Sequence, residues 1–163
     1  MMTEEIVMNI FMFGLGACVG SFLNVCIVRM PDEKSIVKHS SHCFSCLKPI
    51  AWHDNIPLLS YLVLKGQCRF CQASFSLRYF FIELLTACTF VGFYQYYGLT
   101  PVLWPYLFMV SCFIVATFVD FGHRIIPDEI SVGGMYAGMV FSLLVPELHQ
   151  VTIESPSAIA VHF

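Results

Sequence analysis

Residues 6–28 read IVMNIFMFGLGACVGSFLNVCIV, 23 residues without a charge. A helix needs about 20 mostly apolar residues to cross about 30 Å of hydrocarbon, so this stretch predicts a membrane-spanning helix. A cleaved signal peptide would be shorter and would follow basic residues. Glu4 and Glu5 precede this run instead, which predicts a permanent span. Composition agrees along the rest of the chain. Of 163 residues, 58% are hydrophobic and 12% charged, whereas a soluble domain is about a quarter charged. Disorder is excluded, and a soluble globular domain is disfavoured. A net charge of −3 lacks the basic surface that a nucleic-acid binder needs.

Three more apolar stretches follow. Residues 79–98 predict a second span, interrupted by Glu83; residues 101–119 predict a third, with no charge; residues 130–145 predict a fourth, short at 16 residues. Thr100 and Pro101 mark the tight turn between the second and third. The fold class expected is an all-α polytopic membrane protein of about four transmembrane helices. A Cys-rich loop domain over 29–78 separates the first helix from a three-helix membrane unit over 79–145. Seven of the eight Lys and Arg residues (Arg29, Lys34, Lys38, Lys48, Lys65, Arg69 and Arg78) lie in that loop, and the eighth, Arg124, lies between spans three and four. The positive-inside rule puts both segments in the cytoplasm and the N-terminus and the tail outside. The tail, 146–163, turns apolar again at Ala158-Ile159-Ala160-Val161 and reads as the start of a fifth span, cut off.

Cys43-x-x-Cys46 and Cys68-x-x-Cys71 stand 21 residues apart in the loop. Two such pairs suit a tetrahedral zinc site, each giving two thiolates from one tight turn. A reducing cytosol favours metal over disulfide. Two disulfides, four free thiols and a thiol-exchange motif are the alternatives. Zinc knuckles often place Gly after the second Cys, where this chain has Leu47 and Gln72. His39, His42 and His53 lie close enough in sequence to replace a Cys ligand, but read first as solvated loop histidines. Cys18, Cys26, Cys88 and Cys112 fall inside apolar spans and read as packing residues.

Ionisable residues at a membrane edge are functional candidates. Asp120 closes the third span, where the helix dipole disfavours negative charge; pairing with Arg124 or His123 is its plainer role. Asp128 follows Ile126-Pro127 and suits either capping of the fourth helix or catalysis. Glu83 lies one turn into the second span, with Arg78 as a partner or a place in the site as its options. Gly16-x-x-x-Gly20 allows close helix contact. Asn24 needs a hydrogen-bond partner at its depth, from a neighbouring helix or a ligand.

Together these residues resemble the type IV prepilin peptidases. The likeness begins at Gly20-Ser21-Phe22-Leu23-Asn24-Val25, then Arg29 and Pro31. It runs through Cys43-x-x-Cys46, Trp52, Asn55-Ile56-Pro57-Leu58, Ser60-Tyr61-Leu62, Gly66, Cys68-x-x-Cys71, Ser76-x-Arg78-Tyr79 and Glu83. It ends at Asp120 and Ile126-Pro127-Asp128. Phe80 stands where the family usually has Pro. The resemblance implies a bacterial inner-membrane aspartic endopeptidase that removes the leader from prepilins or pseudopilins of type IV pili and type II secretion. It also implies methylation of the new N-terminus with S-adenosylmethionine in many members. It makes Asp120 the first catalytic aspartate and associates the cysteine loop with the methylating half. Aspartic proteolysis needs two carboxylates sharing a proton. The family's second lies in a Gly-x-Gly-Asp element that does not occur in this sequence. The chain is therefore expected to be the N-terminal part of such an enzyme, partnered by a C-terminal half. An inactive fragment or a non-catalytic zinc-loop membrane scaffold is the alternative.

Overall fold

The computed structural model describes residues 2–32, 35 and 42–149. His39, Lys34, Lys38 and the apolar end of the tail lie outside these residues. Among the described residues the chain is all-helical, with five α-helices: α1 Met2–Arg29, α2 Leu59–Val63, α3 Leu77–Tyr97, α4 Leu103–His123 and α5 Asp128–Leu144. Local chemistry sets their limits. Glu4 and Glu5 open α1 and Arg29 closes it, both complementing the helix dipole. The Ser76 hydroxyl accepts the Arg78 amide at 3.2 Å and caps α3. Gly98, at φ +62°, ends that helix and returns its N–H to the Tyr94 carbonyl. Pro105 falls in the first turn of α4, where its missing N–H breaks no bond.

Among the described residues three helices are long and apolar enough to cross a membrane: the one over Met2–Asp32, Leu77–Tyr97 and Leu103–His123. The four-cysteine cluster lies between the first two, as the sequence predicts. The fourth helix forms too, but its 17 residues rise only about 25 Å. Apolar side chains such as Phe11, Phe81, Phe113 and Leu143 face outward, the arrangement expected when lipid is the solvent.

α1 packs chiefly on α3, then on α4, and α5 packs on α4. The tightest approach runs through Gly16 and Gly20. A Cβ at Gly16 would stand 2.7 Å from the Ala87 Cα, and one at Gly20 would stand 2.8 Å from the Glu83 Cα. The Gly-x-x-x-Gly pair is thus a helix-packing device. Two core clusters mark the two ends of the bundle. Met12, Phe90, Leu103 and Leu107 form one. Leu23, Cys26, Ile27, Ile82, Val115 and Val119 form the other. The second is the end where α1 enters the cysteine loop, α3 leaves it and α4 carries Asp120 in its last turn.

Candidate functional site

The two Cys-x-x-Cys turns fold alike. Cys43 accepts the Leu47 amide on its carbonyl at 2.9 Å and donates its own amide to Lys48 at 3.0 Å. Cys68 does the same with Gln72 and Ala73, both at 2.9 Å. Each turn is closed by a single antiparallel bridge, His42 to Pro49 and Gln67 to Ser74. Leu47 and Gln72 sit at φ 58° and 57°. Both positions therefore adopt the left-handed conformation that glycine favours, and the knuckle forms without glycine.

These turns point four sulfurs at one another. The Cys43 and Cys71 sulfurs lie 3.7 Å apart, and those of Cys46 and Cys68 4.0 Å apart. All four ligand atoms lie within 4.8 Å of one another. Tetrahedral zinc with bonds of about 2.3 Å places its sulfurs about 3.8 Å apart. A disulfide requires about 2.05 Å, and all eight cysteines are free thiols. The cluster is capable of holding a metal. Neither His42 nor His53 joins it; the His42 ring lies 5.8 Å from that of Phe44. The backbone amides of Cys46 and Ser45 donate to the Cys43 sulfur and pull its thiol down to about 6. The Cys71 sulfur receives a lowering bond from the Ala73 amide. Burial and the sulfurs of Cys43, Cys68 and Cys46 outweigh it and push that thiol up to about 11. A Cys43 thiol that ionises readily beside a Cys71 thiol that holds its proton suits metal binding, which releases protons from the thiols it takes as ligands.

Two contacts tie the knuckles to the rest of the loop. The Lys48 ammonium stands over the Phe70 ring, 4.5 Å from its centroid, and so links one knuckle to the other. The Arg69 guanidinium grips Asp54 through both carboxylate oxygens, its Nε lying 2.7 Å from Oδ2. Arg69 beside it holds the Asp54 carboxyl below the usual carboxylate range. Neither tie is visible in the sequence, because each joins residues from separate turns.

Between the loop, the loop end of α1 and the start of α3 lies a cavity of about 760 Å³. Ser21, Asn24 and Arg29 reach it from α1, Tyr79 and Glu83 from α3, and Tyr61 from the loop. Glu83 is not paired with Arg78. Its Oε2 accepts the Leu58 amide at 2.8 Å, and the Arg78 guanidinium lies 5.4 Å from the Tyr79 ring centroid. Asn24 finds its neighbouring helix, donating to the Tyr79 carbonyl at 3.0 Å.

Asp120 occupies the last turn of α4, which runs on to His123. Its carbonyl takes the Arg124 amide at 2.9 Å. Its side chain is exposed, and among the described residues it forms no ion pair with Arg124 or His123. Asp128 is the first residue of α5. The N-cap is Pro127, and no side chain caps this helix, so the capping role expected of Asp128 is not realised. Pro127 cannot offer a capping side chain, and Asp128 sits one place too late to do so. Both carboxylates lie on the loop end of the bundle, on either side of the 124–127 turn.

The sequence signature of the Bacterial Peptidase A24 N-terminal domain matches residues 15–97. That span covers α1 from Leu15, the cysteine loop and α3. The chain belongs to the A24 prepilin leader peptidase family. A prepilin leader peptidase/N-methyltransferase of Myxococcus xanthus is 44% identical over 133 residues, 82% of this chain and 40% of its own length. A type 4 prepilin-like proteins leader peptide-processing enzyme of Escherichia coli O78:H11 is 35% identical, covering 77% of this chain and 53% of its own. The prepilin leader peptidase/N-methyltransferase of Neisseria gonorrhoeae is 34% identical, covering 79% and 54%. The chain thus spans about half the length of the curated relatives it matches. No solved structure gives a significant match.

Proposed function

We propose that this chain forms the substrate-facing N-terminal part of a prepilin leader peptidase/N-methyltransferase. One observation carries the reading: the bundle brings Asp120, the cysteine loop and the cavity to one end of the membrane helices. The arginines and lysines of the loop support a cytoplasmic side for that end, and the bacterial relatives support an inner membrane. A prepilin or pseudopilin with a basic leader and an apolar helix would present its scissile bond there, beside Asp120. The exposed, unpaired carboxyl of Asp120 suits a group that must share a proton with a second carboxyl. The family's second aspartate is expected from a C-terminal half, with Asp128 as the candidate within this chain. A non-catalytic scaffold would leave the unpaired Asp120 without a task.

The four thiols fit zinc in number, type and spacing, and zinc there would hold the two knuckles together without touching the bond that is cut. S-adenosylmethionine, which would supply the methyl group, finds a cavity of fitting size between Asn24, Glu83 and the loop. The loop domain over 29–78 thereby serves methylation and the membrane unit over 79–145 serves cleavage.

The test is leader cleavage in reconstituted membranes. The chain is supplied with a prepilin substrate, alone and together with the C-terminal half of a relative, and compared with an Asp120→Asn version. Cleavage that requires Asp120 is expected in the reassembled enzyme. Cleavage that survives Asp120→Asn would sink the assignment. Metal analysis of the same preparation should find about one zinc per four-thiol site, and Cys43→Ser or Cys68→Ser should remove it.

A further inference from the structure

Asn24 and Glu83 share a feature that the helix packing does not explain. The Asn24 amide nitrogen donates to the Gly20 carbonyl at 3.3 Å and to the Tyr79 carbonyl at 3.0 Å. Both partners are acceptors, so the amide has one allowed orientation. Its oxygen Oδ1 is then left buried with no partner, on a residue only 2% exposed. A buried acceptor without a donor is costly, and the group it lacks must carry a proton.

Glu83 supplies the second half. It is 8% exposed, and it binds the Leu58 amide and the Ser21 hydroxyl. Among the described residues no Lys or Arg forms an ion pair with it. Ser21 and Asn24 are three residues apart on α1. Tyr79, which receives Asn24, and Glu83 are four apart on α3. Both spacings put the side chains on one helix face, so the two residues meet at one wall of the cavity. A carboxyl at that depth calls for a cation. Water would satisfy Asn24 but, among the described residues, leave Glu83 without one.

We propose that this wall binds the primary ammonium group of a ligand, held between the Glu83 carboxylate and the Asn24 side-chain oxygen. An ammonium has three donors and no acceptor, which matches Glu83, Asn24 Oδ1 and the Ser21 oxygen. Val25, Val28, Ile56 and Leu64 line the same cavity and would take an apolar body attached to it. Its volume of about 760 Å³ lies within the range of small-ligand sites, roughly 300–1,000 Å³. Two sources carry this chemistry: the α-amino end of a peptide that continues apolar, and a free amino compound such as S-adenosylmethionine. Which of them arrives rests on the proposed function; that an ammonium is held does not.

The test uses the whole chain in lipid nanodiscs. The probes are an apolar hexapeptide with a free N-terminus and a C-terminal fluorophore, its N-acetylated twin, and radiolabelled S-adenosylmethionine. For a peptide ligand, the free amine should bind at least about tenfold more tightly than the acetylated form, the scale of one charge-assisted contact. Glu83→Gln should abolish that preference while lowering the melting temperature far less than Glu83→Ala, because the glutamine oxygen still accepts from Leu58. S-adenosylmethionine binding that Glu83→Gln weakens, and that displaces the peptide, assigns the site to the free amino compound. Peptide binding that S-adenosylmethionine leaves untouched assigns it to the peptide end. The proposal is overturned by absence of binding, or by binding of every probe that ignores both acetylation and Glu83→Gln. Leader cleavage is scored separately, so a failed peptidase reading and a failed ammonium site give different results.

Discussion

The Glu83 carboxyl oxygen Oε2 accepts the Leu58 amide proton at 2.8 Å, so a side chain of α3 holds the backbone of the loop. Leu58 needs holding. Its φ and ψ are 62° and −50°, and the Leu59 amide reaches the Pro57 carbonyl at 2.7 Å. That is a γ-turn of the rare, strained hand. Glu83→Ala should therefore strand a buried amide and lower stability by about 1–3 kcal/mol. Glu83→Gln should lose far less. Thermal unfolding in detergent, followed by tryptophan fluorescence, compares the two; equal loss in both would remove this bond as the anchor of the loop.

The knuckles carry strain of a different kind. Leu47 and Gln72 are exposed and left-handed, a conformation that costs a side-chain-bearing residue about 1–2 kcal/mol. Glycine removes that cost but adds about 0.5–1 kcal/mol of chain entropy. Leu47→Gly and Gln72→Gly should each stabilise the loop by about 0.5–1 kcal/mol, without changing how much metal it holds. Melting curves and metal analysis read both quantities. A loss of stability would mean that the side chains make contacts that outweigh the strain.

The membrane helices were legible because a long apolar run of about 20 residues has few other readings, and three of the predicted spans fall within a few residues of α1, α3 and α4; the fourth forms as α5, a helix shorter than the three that can cross a membrane. The knuckles were legible from Cys-x-x-Cys spacing, although Leu47 and Gln72 hid the left-handed turns. Glu83 was harder. Sequence nearness suggested Arg78, but the partner is an amide 25 residues away, brought there by the loop folding back over α3. The Asp54 to Arg69 pair and the cavity were invisible for the same reason. Asp128 shows the limit of reading caps: the Pro before it took the N-cap position, and a shift of one residue removed its role.

Close helix contact gives a prediction with its own control. A Cβ at Gly16 or Gly20 would meet α3 backbone atoms at 2.7 or 2.8 Å, whereas one at Gly14 would meet nothing within 4 Å. Backbone cannot rotate aside as a side chain can. Gly16→Ala and Gly20→Ala should each cost about 1–3 kcal/mol, the usual penalty of overpacking, and Gly14→Ala should be neutral or slightly stabilising, since alanine is the better helix former. Unfolding of the three variants in one detergent settles the comparison. A neutral Gly20→Ala would show that α1 and α3 are not fixed at this separation.

Asp54 gives a pH prediction whose sign follows from its partner. The Arg69 guanidinium holds the Asp54 carboxyl below its ordinary range, so the folded loop binds that proton less readily than the unfolded chain. The stability contributed by the pair is then complete above the unfolded carboxylate value, about 3.9, and is lost as pH falls through the lowered folded value. Asp54→Asn keeps one acceptor for Arg69 but loses the charge. The variant should melt below the parent from pH 5 to 7, and the gap should close as pH falls below about 4. Because Arg69 follows the ligand candidate Cys68, the comparison is made in chelator, and in a His53→Gln background, because the His53 ring nitrogen lies 3.8 Å from the Asp54 carboxylate and is a second titrating partner. A gap that persisted into acid would mean that Asp54 acts through its shape and hydrogen bonds, with its charge contributing nothing.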